Sequence, residues 1–148
     1  ENNVHLTFKN LDDFKKWNTK LNFMLKRHAY DRAFMVKTSK DQDKKAIKFG
    51  EENFNKPYSL TEHKDNEGNV IDQNCADLAA DIISAAGLQI QKPKIDDKAR
   101  EKYKGFDKAY DFFTVGNLSQ VTCPEYQFKL FSKTYYSFGN DIDLVNKE

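Results

Sequence analysis

Apolar positions in this chain recur mostly at helical spacing. Leu11, Phe14, Trp17, Leu21, Met24 and Leu25 form one stripe behind Asn10, an N-cap residue, with Asp12 and Asp13 in the first turn. That pattern predicts an amphipathic helix ending near Arg27 or His28. Ala46, Ile47, Gly50 and Phe54 trace the inner side of a second helix. Ser39 and Gln42 supply its capping box, and Asn55-Lys56-Pro57 stops it. The alanine-rich run from Cys75 to Ala86 is the clearest helix, with Asp72 and Asn74 as available caps and Gly87 at the C′ position. Leu78, Ile82 and Ala86 share its inner face, while Asp77, Asp81 and Ser84 fall on the other side. Near the C-terminus, Thr122 and Glu125 bracket a further capping box with Pro124 in the first turn, and Tyr126, Leu130 and Phe131 supply the buried side. Residues 96–103 and 107–113 are shorter helical candidates separated by Gly105.

Strand signals are weaker. Residues 4–8 alternate loosely, residues 33–36 form a compact apolar run, and residues 88–90 make a third short candidate. The polar, glycine-tipped stretch from Glu62 to Asn69 reads as a surface turn, and the tail from Gly139 reads as solvated. With no internal repeat and no linker rich in Pro, Gly or Ser, residues 1–148 form one domain. The expected class is α+β: a small antiparallel sheet packed against the Cys75 helix, with further helices on its flanks.

Composition narrows the function classes. The chain has 148 residues, 39% of them hydrophobic, including 12 Phe and 7 Tyr, and a formal net charge of +1. It is long enough to bury a core and too aromatic for a disordered segment. The balanced charge gives no footprint for nucleic acid. No apolar run is long enough to predict a transmembrane segment. The chain opens on Glu1 rather than Met, so it is expected to have been processed, trimmed or cut from something larger. Two cysteines make no disulfide framework, although one bridge and two free thiols both remain open. Neither C-x-x-C nor H-x-x-x-H spacing occurs, so no metal site and no cofactor are expected.

Cys75 is the residue with the most chemistry. Unpaired backbone N–H groups and the helix dipole favour an anion in the first turn of a helix, and so favour a thiolate there. Standing three and four residues before Leu78 and Ala79, Cys75 is expected on the core-facing side, where a base on another element would meet it. The plain alternative is a small buried apolar filler. Cys123, in the ordinary capping context Thr-Cys-Pro-Glu, is expected to be structural.

Tyr58-Ser59-Leu60, a variable insertion, Asn74-Cys75-Ala76-Asp77-Leu78, the alanine-rich helix and Ala86-Gly87-Leu88 follow in order. This set resembles the circularly permuted papain-like hydrolases of the NlpC type, and most of all domains attached to bacterial toxin proteins. The helix opening at Thr38-Ser39-Lys40-Asp41-Gln42-Asp43 and the Thr-x-Pro start at Thr122-Cys123-Pro124 belong to the same likeness, which covers residues 33–133. It implies a permuted papain-like fold and a cysteine hydrolase in which histidine precedes cysteine. It also implies delivery by a bacterial secretion system, a peptide or acyl substrate, and a cognate immunity or carrier protein as partner.

By order and setting, His5 fits the general base that the resemblance requires. His28 at a helix end, His63 in a charged turn, and a base outside this chain are the alternatives. The third group that would orient the imidazole is not selected by any motif. Asp77 is a candidate partner of Cys75, although a first-turn acid at a helix start is an equally good reading of it. The expected chemistry is acyl transfer by a Cys75 thiolate on an amide. Lipid or thioester acyl groups on the same fold, and a non-enzymatic binding or toxin-neutralising role, are the competing readings. For the latter, Tyr135, Tyr136 and Phe138 would offer a surface.

Overall fold

A computed structural model describes residues 6–26, 30–95 and 120–144. In chain order it contains α1 (Leu11–Leu25), β1 (Arg32–Val36), α2 (Lys40–Asn53), β2 (His63–Lys64), β3 (Val70–Asp72), α3 (Cys75–Ala85), α4 (Pro124–Thr134) and β4 (Gly139–Asp143). The class is α+β, with the described strands forming two separate two-stranded antiparallel sheets. No helix among the described residues is long and apolar enough to cross a membrane.

Side-chain caps fix where α1, α2 and α3 begin. Asn10 accepts the Asp13 N–H at 2.9 Å, and α1 ends at Lys26, which adopts the left-handed conformation (φ 52°) and bonds back to Asn22 and Phe23. Both halves of the Ser39–Gln42 capping box form on α2. Gln42 does more than cap, because its Nε2 donates to the Ala86 carbonyl at 3.0 Å and ties the head of α2 to the foot of α3. On α3 the box is Asn74 with Asp77. Gly87 follows at φ 82°, a conformation that a side chain would strain.

The start of α4 departs from expectation. Its N-cap is Cys123, which makes no side-chain cap bond; Pro124 occupies the first turn, where a missing N–H costs nothing. Thr122 does not close a box with Glu125, because its hydroxyl is engaged by α3 instead.

Residues 33–36 lie in β1, as their apolar run predicts. The tail from Gly139 is not simply solvated: it forms β4, pairing antiparallel with β1 so that Ala33 stands opposite Ile142. Nothing in Gly-Asn-Asp-Ile-Asp signals a strand; main-chain pairing recruits it. Gly139 permits close approach, since a Cβ there would clash with Cζ of Phe34. Arg32 closes the pair by binding Asp141 and also covers the Phe128 ring at 5.4 Å. Of the Glu62–Asn69 stretch, His63–Lys64 form β2 and residues 65–69 are the tip of the short hairpin β2–β3, where the Asp65 carboxylate accepts the N–H groups of Glu67 and Asn69. Those bonds, led by the one from Asn69, hold the Asp65 carboxyl below its usual range.

Residues 6–8 have no regular structure, and the rest of the first strand candidate lies outside the described residues. So do the helical candidates at 96–103 and 107–113. Residues 88–90 are irregular rather than a strand. Their stretch of chain is held by side chains of α4 and its C-cap: the Tyr135 hydroxyl accepts the Gln89 N–H at 2.6 Å, and Gln127 donates to the Gln91 carbonyl at 2.9 Å.

α3 packs between α2 and α4, and its most buried residues are Ala76, Asp77 and Ala80. This face is rotated from the Leu78–Ile82 stripe read from the sequence. In so alanine-rich a helix, small residues give little directional signal, and a polar residue can lie inward once its hydrogen bonds are made. On α1, Phe14 and Trp17 join Phe8 and Tyr30 in an aromatic cluster with ring centroids 5.4–6.2 Å apart. Met24 and Leu25, expected on the inner stripe, are exposed.

Candidate functional site

The first residue of α3 is Cys75, immediately after its N-cap Asn74. Asn74 takes the Asp77 N–H on its side chain and the Leu78 N–H on its carbonyl. The N–H groups of Cys75 and Ala76 are therefore left without an intrahelical acceptor. Both cysteines are free thiols, but they differ in setting: Cys75 is exposed, whereas Cys123 is buried at 7% exposure. Cys75 thus does not face the core, contrary to the expectation drawn from its spacing to Leu78 and Ala79. It lines a surface groove of about 180 Å³ with Asn53 and Phe54 from the end of α2, Tyr58, Gln73 and Leu78.

The groove walls are tied together through the main chain. Tyr58 and Gln73 form a parallel bridge: the Gln73 N–H donates to the Pro57 carbonyl at 3.3 Å and the Ser59 N–H to the Gln73 carbonyl at 3.1 Å. Gln73 is 4% exposed, and neither its side-chain oxygen nor its side-chain nitrogen has a hydrogen-bond partner. No sequence signal marks this glutamine; its environment is made by the bridge and by the turn into α3.

Beneath the thiol lies a buried polar network that fixes the head of α3. The Asp77 carboxylate accepts from the Thr122 hydroxyl at 2.5 Å and from the Asn74 N–H at 3.3 Å. Asn74 Nδ2 donates to the carbonyls of Leu60 and Thr122, and Lys94 Nζ donates to the Thr122 hydroxyl at 3.0 Å. Asp77 is thus the first-turn acid of the helix and also its anchor to the segment before α4. A second, more exposed clamp lies nearby. Lys92 Nζ sits 2.6 Å from Glu62 and 2.8 Å from Asp81. Burial pushes the Glu62 carboxyl up, but the Lys92 hydrogen bond and charge, with Lys64 and Lys94, outweigh it and hold the pKa below its ordinary value. For Lys92 burial acts downward, and the bonds and charges of Asp81 and Glu62 raise the pKa above its ordinary value.

His5 and His28 lie outside the described residues. His63 is on β2, with Nδ1 2.5 Å from Asp72 and Nε2 3.4 Å from the Thr61 hydroxyl. It does not line the Cys75 groove. Among the described residues, no group of three or more His, Cys, Asp or Glu is arranged to hold a metal ion.

Fold and site together define a class: a small α+β domain with an exposed thiol at the head of a capped helix, opening onto a groove. No family model, curated protein or solved structure matches the chain.

Proposed function

We propose that this chain is a cysteine hydrolase acting on an amide bond, of the permuted papain-like, NlpC type, serving as a bacterial effector or toxin domain. The observation that carries the reading is the contrast between the thiols: Cys75 is exposed in a groove at a capped helix N-terminus, and Cys123 is buried. His5 is the proposed general base. It removes the Cys75 proton as sulfur bonds to the carbonyl carbon, and the N–H groups at the head of α3 receive the developing oxyanion. Collapse of the adduct breaks the C–N bond, and the departing amine takes the proton from the imidazolium. Water then cleaves the thioester, restoring the thiol and releasing the acid. A peptide or acyl compound is the substrate class, and a cognate immunity or carrier protein is the proposed partner.

The test is hydrolysis of bacterial cell-wall peptide and of fluorogenic peptide amides by the parent and three variants. Cys75→Ala should abolish turnover with the circular dichroism spectrum unchanged, and Cys123→Ser should leave most of it. His5→Ala should slow turnover by about 10²–10⁴-fold, the range for loss of a general base. Equal turnover by parent and Cys75→Ala refutes the enzyme reading; an unaffected His5→Ala moves the base elsewhere.

A further inference from the structure

Gln73 stands two residues before the thiol and lines the same groove. Its residue is 4% exposed, yet the two ends of its carboxamide have no hydrogen-bond partner. Buried polar groups are nearly always satisfied, because each unmade bond leaves a desolvation penalty uncompensated. An unpartnered amide on a residue that lines a nucleophile's groove is the kind of exception that a ligand would resolve.

We propose that Gln73 is a substrate-binding residue that recognises a carboxamide or peptide unit held next to Cys75. The proposal rests on the reading of Cys75 as the reacting thiol, and it names what the groove accepts. An amide ligand would offer its carbonyl oxygen as acceptor for the Gln73 Nε2 donor and an N–H as donor for Oε1. A primary carboxamide, or the N–H and C=O of one extended residue of a peptide, presents the complementary pair side by side, and both unpartnered Gln73 atoms are satisfied at once. An ester or thioester has an acceptor and no N–H, so it leaves Oε1 buried and unpaired. Sites built to bond a group reject the analogue that lacks it for this reason. The groove is therefore selective for amides over esters of the same shape. Gln73 is covered in the free protein, and its bridge partner Tyr58, which lines the same groove, is 66% exposed.

Two small thiol reagents of matched shape test this: iodoacetamide, which carries the carboxamide, and methyl iodoacetate, which carries the ester. Each forms a carbon–sulfur bond at Cys75 and expels iodide, with the thiol proton passing to buffer. Rates of modification of the Cys75 peptide are followed by mass spectrometry on the full chain. The amide/ester ratio is then divided by that of glutathione. The parent should favour the amide by about 2–10-fold, the range of one hydrogen bond, and Gln73→Met, of similar shape, should return the ratio to about one. A parent ratio equal to that of glutathione overturns the proposal without any variant, so a Gln73→Met chain that fails to fold does not shelter it. A preference kept by folded Gln73→Met overturns it as well. Failure of the underlying reading looks different: Cys75→Ala would then hydrolyse substrate as well as the parent, whatever the reagent ratio.

Discussion

Replacing Thr122 by valine keeps the shape of a side chain that is 1% exposed and deletes only its hydroxyl. That hydroxyl donates to Asp77, itself 1% exposed, and accepts from Lys94. Water cannot take over at such a depth without repacking, so one carboxylate oxygen loses its donor inside the protein. A hydrogen bond to a charged group is worth about 1.5–3 kcal/mol net, and stranding the partner places the loss in the upper part of that range. We expect Thr122→Val to lower stability by about 2–3 kcal/mol, and the unfolding midpoint by about 4–12 °C for a chain of this size. Thr122→Ser is the control: it keeps the hydroxyl and removes one buried methyl, a loss of about 0.8 kcal/mol. Urea and thermal unfolding followed by circular dichroism measure both. A valine variant within about 0.5 kcal/mol of the parent, or a serine variant as damaged as valine, would refute a network built on this hydroxyl.

Two further substitutions probe the parts that frame the site. Lys92→Met removes the cation shared by Glu62 and Asp81 and should cost about 1–2 kcal/mol near neutral pH, held down by partial exposure. Glu62 has a lowered pKa, so its contribution is present above its ordinary 4.5 and is lost as pH falls through its folded value. Lys92 has a raised pKa, so its contribution is complete below its ordinary 10.5 and is lost as pH rises through its folded value. The gap between parent and Lys92→Met should therefore be widest between those limits and shrink below pH 4.5; a gap constant from pH 3 to 8 in chemical denaturation contradicts the clamp. Gly139→Ala drives a methyl into the Phe34 ring, which packs edge-on against Phe131. It should destabilise by about 1–3 kcal/mol, as overpacking does, and an unchanged melting temperature would show that the ring moves freely.

Local chemistry in the sequence was enough to place helix heads. Asn10, Ser39–Gln42 and Asn74–Asp77 each satisfy backbone donors within a few residues, so the starts of α1, α2 and α3, and with them Cys75 at a helix N-terminus, could be read directly. Gly87 likewise marked the end of α3 because a left-handed C′ is a local requirement. The inward face of α3 was a different matter. Alanines at nearly every position leave periodicity without contrast, and Asp77 turns inward only because Thr122, far along the chain, brings a hydroxyl to it. The same long-range bond removed Thr122 from the cap that its neighbours seemed to offer. β4 carries no strand pattern and exists because β1 supplies its hydrogen-bond partners across a stretch of chain that no periodicity links. Gln73 was invisible for a related reason: being buried and unpartnered is a property of the bridge to Tyr58 and of the groove, not of the residue. Short-range hydrogen bonds write themselves into sequence as spacing; which face is buried, and which polar group is left waiting, is decided only when distant segments meet.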